Sequence, residues 1–203
     1  MKQSLGFFIL CIGILVVISA AGLFIYNLWD ENRAASVSAS TVEVLHEQIK
    51  AEVKQVQTEE VKDISQDEAS DIEIDGEKYI GILKIPSLEL ELPINKDWSY
   101  PKLKISPCRY SGDILNSLTI AAHNYKNYFG NISKLKNGDA VILTEVNGYE
   151  NLYYVEEVII LQATSIEEMV NTEYDLSLFT CTYGGKDRIT VRCMRQKESA
   201  EIQ

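Results

Sequence analysis

The stretch "YIGILKIPSLELELPI", residues 79–94, opens the folded part of this chain. Its first half is apolar and rich in isoleucine, and "LELELPI" alternates strictly, so both halves read as strands, broken by Pro86 and Pro93. Further strand candidates follow at residues 118–122, 140–144, 152–161, 176–181 and 188–193. Between them, "NISKLKNGD" and "SIEEMV" read as single helical turns, the second capped by Ser165. At least seven short strands with little helix predict a mainly-β fold, a closed or nearly closed barrel. Residues 75–195 are enough to bury about two-thirds of their unfolded surface, and residues 196–203 read as a tail. No internal repeat is evident.

Upstream, the character differs. Residues 5–29, "LGFFILCIGILVVISAAGLFIYNLW", carry no charged side chain. As a helix they extend about 37 Å, enough to cross a hydrocarbon core of about 30 Å. A cleaved signal peptide is the competing reading, because "ISAAG" offers small residues to a peptidase. Against it, the run exceeds the usual apolar core of a signal peptide, and Tyr26 and Trp29 suit a membrane interface. Residues 1–29 are therefore expected to be an uncleaved, single-pass anchor. The basic residues flanking it, Lys2 and Arg33, bias its orientation little. The short amino-terminal tail makes a cytoplasmic N-terminus and an external domain the default.

Residues 30–74 are polar and acidic. Val42, Leu45, Ile49, Val53 and Val56 recur at spacings of three and four, as on an amphipathic helix. The flanks "ENRAASVSAS" and "ISQDEASD" read as disordered, and the segment as a stalk holding the domain off the membrane, the alternative being a coiled-coil oligomerisation element. His46 reads there as a solvated side chain.

A net charge of -11 argues against a nucleic-acid partner, because phosphate binding needs clustered cations. Among four cysteines, Cys11 lies in the span, leaving Cys108, Cys181 and Cys193 outside it. At most one disulfide is possible among these three. No C-x-x-C pair occurs and only two histidines are present, so neither a structural zinc site nor any other cofactor is implied. Glu145, Glu156, Glu157, Glu167 and Glu168 raise a calcium site, but exposed strand and helix charges account for them.

Cysteine catalysis needs a thiolate, a proton carrier and a group to hold the developing oxyanion. His123 ends "LTIAAH" and Cys181 ends "LSLFTC", so both leave a strand for a loop, where sites are commonly built. Arg188 begins the next strand after Gly184-Gly185, and a hairpin would bring its guanidinium near the thiol. Alternation gives Ile189, Val191 and Cys193 one face, the apolar one, and Arg188, Thr190 and Arg192 the other. Cys108 is either a core residue or the partner of Cys193. Each of these residues also has an ordinary reading, the histidine as a hydrogen-bonded strand end, the cysteine as a small buried group, the arginine as a solvated one.

The motifs together resemble the sortases, membrane-anchored cysteine transpeptidases of mainly Gram-positive bacteria. "IPSLELELPI" resembles the family's opening strand pair, "AAHNYKNYFGNISKLKNGDAVIL" its histidine motif, "SLFTC" its Thr-Leu-x-Thr-Cys and "RITVR" its arginine strand, in the family's order His, Cys, Arg. Ala122 stands where the family usually has Gly, and Ser177 where it has Thr. Features of classes A, B and D are mixed, so no class is assigned. The resemblance implies a closed β-barrel of about eight strands with short helices. It also implies that Cys181 attacks the Thr-Gly carbonyl of a Leu-Pro-x-Thr-Gly-like sorting signal and forms a thioester. His123 would protonate the leaving amine and deprotonate the incoming one. Arg188, with Arg192 as the alternative, would hold the oxyanion or substrate backbone, and Thr180 would add its amide or hydroxyl. The implied partners are surface proteins with a C-terminal sorting signal and an amine acceptor on a peptidoglycan precursor or a pilin. With ordinary pKa values of about 6.5 for an imidazole and about 8.5 for a thiol, only a minority of molecules has both in working form. A catalytically inactive, membrane-tethered binding domain on the same barrel is the competing reading. Papain-like hydrolases place cysteine before histidine, and the Ser-x-Gly-Cys-type motif of L,D-transpeptidases is absent. The sequence shows no obvious long lid over the site.

Overall fold

A computed structural model describes residues 2–56 and 71–196. Helix α1 runs unbroken over Lys2–Val56. After it come β1 (Ile72–Ile74), β2 (Glu77–Ile85), β3 (Leu90–Asn95), α2 (Tyr100–Leu103), β4 (Cys108–Asp113), β5 (Asn116–Ala121), β6 (Ala140–Glu145), β7 (Glu150–Gln162), α3 (Ile166–Val170), β8 (Leu176–Cys181) and β9 (Asp187–Arg195). Strands β2 to β9 form a closed ring of eight, in the order β2-β3-β4-β5-β8-β9-β7-β6, with β2 also pairing β6. The ring closes at Gly81, which pairs with Ile94 on one side and Glu145 on the other. A Cβ on Gly81 would lie 2.2 Å from the Thr144 carbonyl oxygen, so only glycine permits this approach.

Alternation explains the barrel's interior. Leu83 and Ile85 of β2, Leu92 and Ile94 of β3, Leu118 and Ile120 of β5, Leu176 and Leu178 of β8, and Val191 and Cys193 of β9 are buried in one cluster. Strand β2 is apolar on its other face as well, because Tyr79 and Ile82 pack outside the barrel against Val42, Leu45 and Ile49 of α1. Pro93 lies within β3 rather than ending it. The strand meets β4 only at Asn95, so the missing N–H of Pro93 faces no ladder on that side.

The expected stalk is different in the structure. "ENRAASVSAS" is helical, and α1 from Asp30 onward lies against the barrel instead of standing away from it. The stripe at residues 42, 45 and 49 has a partner in β2, and Ala34 joins the main core. Tyr128 Oη donates to the Ala34 carbonyl at 3.1 Å, and His46 Nε2 lies 2.9 Å from Glu91 Oε1, so His46 bridges helix to barrel. "ISQDEASD" lies outside the described residues except for Asp71. The first part of α1 has the length and hydropathy of a membrane span, and none of its most apolar window is buried within the protein.

Leu45 is fully buried between α1 and β2. Leu45→Ala is expected to cost about 2–5 kcal/mol in denaturant unfolding of the detergent-solubilised chain. Glu47→Ala, on the exposed face of the same helix, is expected to stay within about 0.5 kcal/mol.

Candidate active site

Two strand pairings bring the three sequence-identified residues together. Strands β5 and β8 are parallel, with Ala121 opposite Phe179, and the Ala122 N–H donates to the Phe179 carbonyl at 3.1 Å. Carrying that register two residues further sets His123 beside Cys181. On the other side of β8, Cys181 pairs directly with Arg188 of β9. Cys181 and Arg188 are thus direct neighbours on the ladder, and His123 follows two residues after the end of β5, the strand on the other side of β8.

They also share a face. Ala121 and Phe179, two residues before His123 and Cys181, belong to a small cluster with Leu103, Cys108 and Met169, outside the barrel. The site therefore lies on the outer surface, at the ends of the parallel pair. Gly184 and Gly185, both at positive φ (88° and 73°), shape the turn between β8 and β9. That turn receives Arg188, whose Nη1 donates to the carbonyls of Gly185 at 3.0 Å and Asp187 at 3.1 Å.

His123 is half-buried, and its Nε2 is buried with no partner among the described residues. The imidazole stacks on Tyr125, with ring centroids 5.0 Å apart and planes 29° apart. Burial holds its pKa below the ordinary histidine value; the Asp30 carboxylate opposes this and Lys104 adds to it. Tyr125 Oη donates to Asp30 Oδ2 at 2.6 Å, and the Lys126 N–H donates to Glu31 Oε1 at 2.5 Å. Asn27, Asp30 and Glu31 of α1, with Asn124, Tyr125, Lys126 and Tyr183, line a cleft of about 580 Å³ beside the site. No lid was evident in the sequence, yet α1 walls the site at its histidine loop.

Two expectations change. Thr180 lies on the inner face of β8, and its Oγ1 donates to the Ala122 carbonyl at 2.9 Å. The hydroxyl is thus spent on tying the cysteine strand to the histidine strand, leaving none for an oxyanion. Arg192 does share the face of Arg188, but it pairs with Ser177, four residues away along the ladder. Its Nη1 donates to Ser177 Oγ at 2.7 Å and the Met169 carbonyl at 3.2 Å, and Nη2 to the Glu168 carbonyl. Buried, it satisfies free carbonyls at the end of α3, so its donors are already committed. Ser165 precedes α3 but makes no side-chain cap.

Cys108 and Cys193 are free and buried, in clusters on opposite faces of the sheet, so the disulfide considered between them is not formed. Burial pushes each of these thiols up to about 12, which leaves them unreactive near neutral pH. Among the described residues no group of His, Cys, Asp or Glu side chains is placed to hold a metal ion. Tyr125 and Asp30 were not singled out from sequence. Tyr125 lies two residues after His123, while Asp30 is marked only as the first charge after the apolar run.

The sortase domain family matches residues 83–196, more than half of the chain. Among curated proteins no sequence matches. Solved structures do. A Clostridium perfringens sortase D5 transpeptidase is 21% identical, covers 80% of this chain and 99% of its own, with a TM-score of 0.59. A Streptococcus pneumoniae sortase C, described in terms of catalysis and pilin substrate specificity, gives 21%, 80%, 100% and 0.59. A Clostridium perfringens sortase C with the C-terminal cell wall sorting motif gives 22%, 82%, 95% and 0.53. The eight-stranded barrel and the family match agree, and this chain belongs to the sortase family.

Proposed function

We propose that the chain is a cysteine transpeptidase cutting a Leu-Pro-x-Thr-Gly-like sorting signal and joining the released protein to an amine. The observation that supports this is the direct pairing of Cys181 with Arg188, beside a parallel β5–β8 register that stops two residues short of His123 and Cys181. Cys181 Sγ bonds to the threonine carbonyl carbon while the Thr–Gly C–N bond breaks, and His123 passes a proton to the leaving glycine amine. The incoming amine then gives its proton to His123, forms the new amide and releases the thiolate. Burial of His123 favours the neutral imidazole, so the proton it donates is weakly held and readily passed on. Arg188 stands nearest on the ladder to receive the oxyanion or the substrate backbone.

On this reading the apolar part of α1 anchors the chain in the membrane, with the barrel outside the cytoplasm of a Gram-positive cell; the length and hydropathy of that part support an anchor. Relatives described with a cell wall sorting motif and with pilin substrates support surface proteins as donors, and a peptidoglycan precursor or pilin amine as acceptor.

The two arginines separate chemistry from stability. Arg188→Ala is expected to lower peptide joining by about 10²-fold or more, with unfolding changed by less than about 0.5 kcal/mol. Arg192→Ala should do the reverse, costing about 1–3 kcal/mol by leaving buried acceptors unpaired, with turnover per folded molecule retained. The overall reading is tested by offering the detergent-solubilised chain a library of Leu-Pro-x-Thr-Gly variants and an amine. Mass spectrometry should show peptides cut after threonine and joined to the amine. A library returned intact would refute it.

A further inference from the structure

The junction of α1 with the histidine loop carries more than packing. Asp30 is the first charged residue after the apolar run, and its side chain is 13% exposed. It accepts from Tyr125 Oη at 2.6 Å and from Arg33 Nη2 at 3.0 Å, and Arg33 in turn donates to the Lys104 carbonyl at 3.3 Å. Its pKa is lowered, first by the Tyr125 hydrogen bond. Tyr125 presents its ring to His123 and its hydroxyl to Asp30, so one residue links the imidazole to the membrane helix across 95 positions of sequence. Glu31 and Ala34 hold the same loop at Lys126 and Tyr128.

We propose that Asp30 is a positioning residue for His123, acting through Tyr125: its carboxylate fixes the phenol, and the phenol ring fixes the imidazole and favours its protonated form. The chemistry is that of a cation over an aromatic face. A carboxylate that accepts the phenol's hydrogen bond polarises the O–H and enriches the ring, and an enriched ring attracts imidazolium more strongly. Burial works the other way, pulling His123 towards neutrality, and the Asp30 charge opposes it directly; the polarised Tyr125 ring would add to that opposition. The other ionisable groups around the imidazole are Glu31 and Arg33 on α1, Lys104 after α2, Lys126 and Tyr128 in the loop, Cys181 on β8 and Arg188 on β9. The ring contacts leading from His123 run through Tyr125 to Tyr128, and of these two tyrosines it is Tyr125 whose hydroxyl donates to a carboxylate. The catalytic meaning of this coupling rests on His123 being the acid and base of the transpeptidase reading.

The chain has only two histidines, so the imidazole signals of the full chain in detergent can be assigned with His123→Gln and titrated by NMR. Asp30→Asn and Tyr125→Phe are each expected to lower the His123 midpoint by about half a pH unit, the scale of a cation–ring contact. Tyr125→Phe keeps the stacked ring, so a role confined to packing would not move the midpoint. The double variant should shift no further than the larger single shift, because both remove one link. An unmoved midpoint in Asp30→Asn would overturn the proposal, and so would a shift in Asp30→Asn with none in Tyr125→Phe. Peptide joining is measured on the same samples. A midpoint that shifts as expected in a wild-type chain that joins no peptide keeps the coupling and overturns its catalytic meaning.

Discussion

Cys181→Ala is expected to abolish both peptide cleavage and transfer, lowering turnover by more than about 10⁴-fold. Among the described residues Cys181 is the half-exposed thiol of the barrel, paired directly with Arg188, whereas Cys108 and Cys193 are buried. Stability should barely change, because the side chain is half-exposed at the end of β8 and its loss opens no core cavity. Cys193→Ala provides the contrast. That sulfur is fully buried in the barrel, so its removal costs packing, on the order of 1 kcal/mol, and leaves the chemistry in place. The same contrast holds for labelling with iodoacetamide. Cys108 and Cys193 are shielded and held protonated by burial, so outside the apolar run modification should fall on Cys181.

His123→Leu is the second large effect. Loss of the proton carrier is expected to reduce turnover by about 10²–10⁴-fold. Its influence on folding has the opposite sign to most core substitutions. His123 Nε2 is buried without a partner among the described residues, and an unpaired buried polar atom costs about 1–3 kcal/mol. An apolar side chain of similar size removes that cost, so the unfolding midpoint should hold or rise while activity collapses. A fall in both together would mean that the histidine serves packing and not proton transfer.

Strand alternation made much of this barrel legible. The inner faces of β5, β8 and β9 follow directly from residues 118, 120, 176, 178, 191 and 193, and the turn at Gly184-Gly185 follows from its composition. Strand β4 escaped notice because "CRYSGD" has no apolar period. It is held by its neighbours, with register shifts after Arg109 and Ser111. Helix α1 shows the opposite limit. The spacing of Val42, Leu45 and Ile49 reveals that a face is buried, but periodicity does not say against what, and a stalk and a docked helix have the same stripe.

The candidate site divides in the same way. Cys181 and Arg188 were readable because each lies at the end of a strand, where they pair, and His123 because it follows β5 by two residues. Of the two groups expected of Thr180, the hydroxyl turns to the Ala122 carbonyl instead, because neighbouring residues in a strand face opposite ways. Arg192 has the right face but the wrong position along it, and only the location of α3 reveals what takes its donors. Asp30 and Tyr125 meet across 95 positions, a contact no local pattern encodes.

The central claim is that Cys181 carries the substrate as a thioester, and intact-mass measurement of the full chain with a Leu-Pro-x-Thr-Gly peptide and no added amine tests it most directly. The account predicts an adduct equal to the peptide's acyl half ending at threonine, located on Cys181, absent in Cys181→Ala and discharged when an amine is supplied. Cleavage of the peptide by the wild-type chain with no such adduct, or an adduct that persists in Cys181→Ala, would contradict it.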